Sequence, residues 1–89
     1  MWYKFSKHAL EELENRSISM EIAAKILDNP QQIIEEDGDK KIYQSIIVEE
    51  GIEYLIRIFV AIDKIPNVII TLNKTSKISK YWNNESKIR

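Results

Sequence analysis

The chain of 89 residues has no cysteine, a single histidine and only two glycines, and each scarcity excludes a class of functional site. Without cysteine there is neither a disulfide framework nor a thiolate nucleophile, which suits a reducing compartment. One histidine leaves too few of the preferred ligands for a zinc site. Two glycines are too few for the glycine-rich loop that cradles a phosphate. We therefore expect no metal and no other cofactor.

Long hydrophobic runs are also missing. The longest stretch without a charged residue, Ile65 to Asn73, is far shorter than the roughly 20 residues that a helix needs to cross a bilayer. The first residues lead directly into a polar helix start, which is not typical of a signal peptide. We expect a cytoplasmic protein with no membrane partner.

The net charge of −1 conceals an uneven distribution. Residues 1–63 carry 7 basic and 13 acidic side chains (net −6), whereas residues 64–89 carry 6 basic and 1 acidic (net +5). A local basic cluster can bind phosphates even when the total charge is near zero, because the field close to the cluster governs encounter. The same asymmetry is compatible with a solvated surface that promotes solubility, so both interpretations stay open.

The first third of the chain has the pattern of two helices. Ser6 and Ser19 are each placed to cap a helix, and apolar residues recur at helical spacing behind both of them. Asn29 precedes Pro30, and the residue before a proline avoids helical angles, so the second helix should end here.

From Gln32 onward the apolar residues alternate, which is typical of strands, most clearly from Ile52 to Ile62. Strands joined by the short loops of this region must be antiparallel. We therefore predict an α+β fold, with two N-terminal helices packed on one face of an antiparallel sheet of three or four strands. The single domain should comprise a helical hairpin (residues 1–29), the sheet (32–75), a terminal turn (76–82) and a tail (83–89).

Two registers are open for the strand over residues 41–48. A two-residue turn at Glu50-Gly51 would direct the odd-numbered side chains of this strand towards the helices, and a three-residue turn would direct the even-numbered ones there. On the long strand that follows, Leu55, Arg57 and Phe59 should point away from the helices.

Two motifs, one near each end of the chain, resemble a known family. The segments Phe5-Ser6-Lys7-His8-Ala9-Leu10 and Thr75-Ser76-Lys77-Ile78-Ser79-Lys80-Tyr81-Trp82 are similar to the opening and closing segments of the small bacterial family catalogued as domain of unknown function 4258. The resemblance covers nearly the whole chain. It implies a RelE- or BrnT-like toxin fold and a toxin-like, metal-independent ribonuclease of a toxin–antitoxin system, or a relative that has lost activity. The chain departs from the family pattern at Glu11-Glu12-Leu13-Glu14, where a basic helix is common, and this makes the helix surface poorer for RNA.

His8 is the candidate general base or acid of such a ribonuclease. It would be the second residue of the first helix, where the helix dipole disfavours an imidazolium while Glu11 and Glu12 favour it. These opposing effects suit proton transfer near neutral pH. The alternative is a histidine that fixes the helix start by bonding to the backbone.

Cations and hydroxyls supply the candidate phosphate site. Lysines after the last strand could stabilise the charge of a phosphate in the transition state, and neighbouring hydroxyls could position it. Arg57, between Leu55 and Phe59, is costly unless it meets an anion, either an acidic side chain (Glu53 or Asp63) or a substrate phosphate. The predicted catalytic residues are His8, Lys77 and Arg57, and the predicted substrate-binding residues are Lys74, Thr75 and Ser76.

The competing hypothesis is a non-catalytic interaction module, or a homodimer that pairs through Leu55 and Phe59. Expected partners are RNA and an antitoxin protein whose acidic residues cover Lys74–Lys80. The position of His8 relative to Lys77 discriminates between the hypotheses, because catalysis needs the two side chains on one side of the sheet.

Overall fold

The computed structural model describes residues 3–84. Along this range the elements follow in the order β1, α1, α2, β2, β3, β4, β5 and α3. The strands are β1 (Tyr3–Phe5), β2 (Gln32–Asp37), β3 (Lys40–Glu49), β4 (Ile52–Ala61) and β5 (Asn67–Thr75). The helices are α1 (Lys7–Asn15), α2 (Met20–Asp28) and α3 (Ile78–Tyr81).

The five strands of the described range form one mixed sheet in the order β1-β5-β4-β3-β2. Neighbours from β2 to β5 are antiparallel, as their short loops require, whereas β1 pairs in parallel with β5. The α+β class is confirmed, but the predicted sheet of three or four antiparallel strands was too small. Tyr3–Phe5, which the sequence assigned to the helical hairpin, instead form β1. The sequence did not reveal this strand, because three residues are too few to show an alternating pattern and the partner strand lies near the other end of the chain.

Serine caps begin both long helices, as the sequence predicts. The Oγ of Ser6 accepts a hydrogen bond from the N–H of Ala9 at 3.0 Å, and the Oγ of Ser19 accepts one from Ile22 at 3.1 Å. Ser6 Oγ also donates to the carbonyl of Ile70 at 3.0 Å, which ties the start of α1 to β5. No helix within residues 3–84 is long and apolar enough to cross a membrane.

The main core lies between α1, α2 and one face of the sheet. Its buried members are Ala9, Leu13, Ile18, Ala23, Ile26, Leu27, Ile56, Ile58, Val60, Ile69 and Leu72. Tyr43 and Ile47 pack against this cluster, so the odd-numbered residues of β3 face the helices. A two-residue turn sets this register, with Glu50 and Gly51 both in left-handed backbone (φ 51° and 79°).

We call the opposite face of the sheet the second face. The chain after β5 folds back across it, and we call residues 77–83 the C-terminal strap. The strap includes α3 and covers Gln44, which is fully buried. Asn83, predicted to begin a tail, is hydrogen-bonded to Gln32, and residues 85–89 of that predicted tail lie outside the described residues.

Candidate functional site

Arg57 stands in the middle of β4 on the second face. Its Nε donates to Oε1 of Gln44 on the neighbouring strand at 3.0 Å. Its guanidinium carbon lies 4.3 Å from the ring centroid of Tyr81 in the C-terminal strap and 5.4 Å from that of Phe59. The guanidinium is therefore held by one amide and two aromatic rings, which are contacts that orient the cation without neutralising it.

No carboxylate of residues 3–84 lies within 4 Å of this guanidinium, so neither Glu53 nor Asp63 is the predicted anionic partner. Burial lowers the pKa of Arg57 below its ordinary value, while Tyr81 and the charge of Glu36 act in the opposite direction. An arginine remains charged at neutral pH despite such a shift. The second face therefore carries a partly buried cation that is available to an anionic ligand.

The polar residues around Arg57 form one row across the sheet. Gln32 of β2 lies opposite Gln44 of β3, which lies opposite Arg57 of β4, which lies opposite Asn73 of β5. Half-buried Thr71 and Thr75 flank Asn73 on the same face, two residues away on either side. The site can thus offer one fixed cation and a line of amide and hydroxyl groups along β5.

Two glutamines connect this row to the C-terminal strap. Gln44 Nε2 donates to Gln32 Oε1 at 2.8 Å and to the carbonyl of Tyr81 at 3.3 Å. Gln32 accepts the main-chain N–H of Asn83 at 3.1 Å and donates to its carbonyl at 2.7 Å. The glutamines thus bind the strap through its main chain.

His8 lies on the other side of the sheet from Arg57. It is an exposed residue in the first turn of α1, which packs beside β5 in the helix layer. Ser6, at the start of α1, bonds to Ile70, whereas the carbonyl of Ser17, just past its end, lies 3.4 Å from Nζ of Lys74. Because a nine-residue helix is about 13 Å long, His8 is remote from the end of β5 that leads to Lys77.

Lys74 is engaged on the helix side of the sheet. Its Nζ lies 2.6 Å from Oε1 of Glu49 and 4.8 Å from the ring centroid of Tyr54, and its side chain is 13% exposed. Glu49 and Tyr54 also line an open depression of about 630 Å³ between the β3–β4 turn and Ser17. The carboxylate already neutralises this ammonium, so Lys74 does not extend the cationic surface of Arg57.

The remaining predicted residues lie where β5 leads into the strap. Thr75 Oγ1 accepts the N–H of Lys77 at 3.0 Å and so shapes this turn. Ser76, Lys77 and Lys80 are exposed, and Nζ of Lys80 lies 5.4 Å from the Tyr81 ring. The structure therefore groups Arg57 and Thr75 on the second face, with Lys77 and Lys80 in the adjoining strap, and separates His8 and Lys74 from them.

The sequence did not identify Gln32 or Gln44 as site residues, and it marked Tyr81 only as a member of the closing motif. Assigning the glutamines to the second face required the register of β3, which depended on the turn at Glu50-Gly51. The only feature of the sequence that could have identified the two glutamines is an amide side chain among apolar strand residues. Such an amide must find hydrogen-bond partners when it is buried.

Within residues 3–84, no group of three or more histidine, aspartate or glutamate side chains is placed to hold a metal ion. Residues 5–73 match the profile of one protein family, described as "Domain of unknown function (DUF4258)". A search of curated proteins and a search of solved structures each found no match. The match runs from Phe5, the last residue of β1, to Asn73 at the end of the polar row, and the C-terminal strap lies beyond it.

Proposed function

The chain belongs to the family described as domain of unknown function DUF4258, and we propose that it is a toxin-like RNA-binding protein whose site is the second face of the sheet. Arg57 is the phosphate contact in this proposal. The observation that carries it is a partly buried guanidinium with no carboxylate of residues 3–84 within 4 Å, oriented by Gln44 and Tyr81. A pre-oriented arginine loses little side-chain entropy on binding and can donate two parallel bonds to a phosphate.

The surroundings of Arg57 favour a polymer of phosphates over a single anion. Asn73 and its two threonine neighbours continue the polar surface along β5, and such side chains contact nucleic-acid phosphates and sugars. Exposed Lys77 and Lys80 add attraction for a polyanion, and the Tyr81 ring offers a surface for base stacking.

Cleavage of the bound RNA stays a prediction. It needs a proton acceptor for the 2′-hydroxyl. His8, the acceptor that the sequence predicts, lies on the other side of the sheet from Arg57. Any cleavage of RNA held by Arg57 therefore needs a different acceptor. His8→Ala should leave both RNA binding and any cleavage unchanged, and loss of cleavage in His8→Ala would contradict the placement of the site on the second face.

Binding of a fluorescent single-stranded RNA tests the function. Arg57→Gln should weaken binding about tenfold or more, because a bond to a charged group contributes about 1.5–3 kcal/mol. The matched control is Arg16→Gln, which removes the same charge from the helix side, where Arg16 is paired with Glu12. Equal affinity of Arg57→Gln and the unsubstituted protein, or an equal loss in both variants, would contradict the proposal.

The interaction module is the second candidate function. Exposed Lys77 and Lys80, but not Lys74, are available to the acidic residues of an antitoxin. The homodimer proposed through Leu55 and Phe59 must rely on Phe59, because Leu55 is fully buried within the monomer. Binding of RNA by the isolated chain separates this candidate from the first one.

A further inference from the structure

We propose that the C-terminal strap regulates the anion site: the docked strap positions Arg57, and an anion bound to Arg57 in turn holds the strap on the sheet. The inference rests on the proposed function for the identity of the anion, an RNA phosphate, but the coupling itself can be tested with phosphate alone.

The strap is attached to the sheet by specific polar contacts, and it lies outside the main core. None of the residues of α3 is buried, and its N-cap residue Lys77 makes no capping bond through its side chain. The main-chain bonds to Gln32 and Gln44 and the stack of Tyr81 on Arg57 fix its position. A short segment whose residues are exposed or half-buried opens at a lower free energy than the core does, so the strap can leave the sheet while the core stays folded.

The side chain of Gln44 links the strap to the anion site. Its Oε1 accepts the bond from Arg57 Nε, while its Nε2 donates to the carbonyl of Tyr81. When the strap leaves, the Tyr81 ring no longer lies 4.3 Å from Arg57, and the amide of Gln44 is without one of the hydrogen bonds that fix its orientation. The guanidinium then has more conformations to give up on binding an anion, and the affinity falls.

Thermodynamic linkage makes the effect reciprocal. If strap docking raises the affinity of Arg57 for an anion by some factor, the anion raises the docking equilibrium of the strap by the same factor. Anion binding should therefore be visible as protection of the strap, in α3 and at Trp82, which lie outside the polar row itself.

A pair of substitutions at Asn83 tests the main-chain hydrogen bonds between Asn83 and Gln32 without altering the sheet. Asn83→Pro removes the N–H that Gln32 accepts, and Asn83→Ala keeps that N–H while removing the same side chain. Trp82, which precedes the substituted position, has φ −73° and ψ 131°, a conformation compatible with a following proline. The difference between the two variants isolates the main-chain bond.

Two readouts are compared in these variants: hydrogen exchange of the Trp82 amide, which donates to the Ile78 carbonyl, and affinity for single-stranded RNA. We expect Asn83→Pro to speed the exchange and to weaken RNA binding about threefold to tenfold, the effect of one hydrogen bond, with Asn83→Ala closer to the unsubstituted protein. Faster exchange in Asn83→Pro with unchanged RNA affinity would overturn the coupling between strap docking and anion binding. Unchanged exchange would show that the main-chain bonds to Gln32 do not hold the strap.

Inorganic phosphate separates failure of this inference from failure of the proposed function. Phosphate should slow Trp82 exchange in the unsubstituted protein but not in Arg57→Gln. If the protein binds no RNA, the proposed function fails, and slowing by phosphate still supports the coupling. Exchange that phosphate leaves unchanged in both proteins would overturn it.

Discussion

Arg57 is half-buried, and its neighbours are an amide and two aromatic rings in place of a carboxylate. Phe59 and Tyr81 exclude water from its surface, which lowers its pKa by desolvation, and yet no acid of residues 3–84 lies within 4 Å to compensate. A lysine would keep the charge at this position but would lack the Nε donor and the planar surface that stacks on the rings. The chemistry of this position thus depends on a guanidinium as well as on its positive charge.

Tyr3 provides a prediction for the pH dependence of stability. Burial, and secondarily its neighbour Tyr43, raises the pKa of Tyr3 from 10.0 to about 12. Because the folded state holds this proton more tightly, its contribution to stability is complete below pH 10 and is lost as the pH rises towards 12. Urea unfolding of Tyr3→Phe should therefore lose less stability between pH 9 and about 11.5 than the unsubstituted protein does.

Tyr54→Phe is the matched control for Tyr3→Phe, because it removes a tyrosine that contacts Lys74 and lies away from the β1–β5 pair. It should leave the alkaline loss of stability unchanged. The same pH dependence in Tyr3→Phe as in the unsubstituted protein would show that Tyr3 does not cause the effect.

At the scale of elements, the two serine caps are not equivalent. Ser6 and Ser19 each accept one N–H at a helix start, but only Ser6 also donates to β5, through the carbonyl of Ile70. Ser19→Ala should lower the free energy of unfolding by about 1 kcal/mol, the usual effect of removing a cap. Ser6→Ala should lower it by about 2 kcal/mol, because a second hydrogen bond is removed as well. Equal values in urea unfolding would mean that the bond to Ile70 contributes nothing.

Elements whose signal is local could be predicted from the sequence, and those whose partners are distant could not. The serine caps and Pro30 mark the helices, and the alternation over β4 marks the central strand. β1 is three residues long and exists because β5 offers it an edge, so no local pattern predicts it. The register of β3 was left open as well, because the sequence did not decide between a two-residue and a three-residue turn at Glu50-Gly51.

The residues of the candidate site likewise include one that the sequence identifies and others that only the folded structure reveals. Arg57 was identifiable, because a mid-strand arginine between apolar residues needs special partners. The identity of those partners required β3 in register and the strap folded back, which bring Gln44 and Tyr81 to it from other elements. The distance between the two end motifs was left open by the sequence, and it depends on the length and direction of α1, which carry His8 away from Lys77.

At the scale of the whole molecule, the basic C-terminal region divides between the two sides of the sheet. Lys74 is neutralised by Glu49 on the helix side, whereas Lys77 and Lys80 are exposed in the strap. Long-range attraction of RNA should therefore depend on the strap lysines, and salt should weaken it.

Substitution of both strap lysines tests this division. Lys77→Gln combined with Lys80→Gln should weaken RNA binding. It should also flatten the slope of log binding constant against log salt concentration, by about 0.7 for each phosphate that the protein no longer neutralises. The matched control replaces Lys4 and Lys7, two exposed lysines at the start of the chain, with glutamine. A slope that falls equally in both double variants would show that net charge alone governs binding.

We propose that RNA binds the second face and not the helix layer around His8. The most direct test of this proposal is a nuclear magnetic resonance titration of the labelled protein with single-stranded RNA, which reports the affected residues without any substitution. We expect shifts of the Arg57 Nε–H and of the amides of Thr71, Asn73 and Thr75, with His8 and the rest of α1 unchanged. Shifts centred on His8 and α1, with the Arg57 signal unmoved, would contradict it.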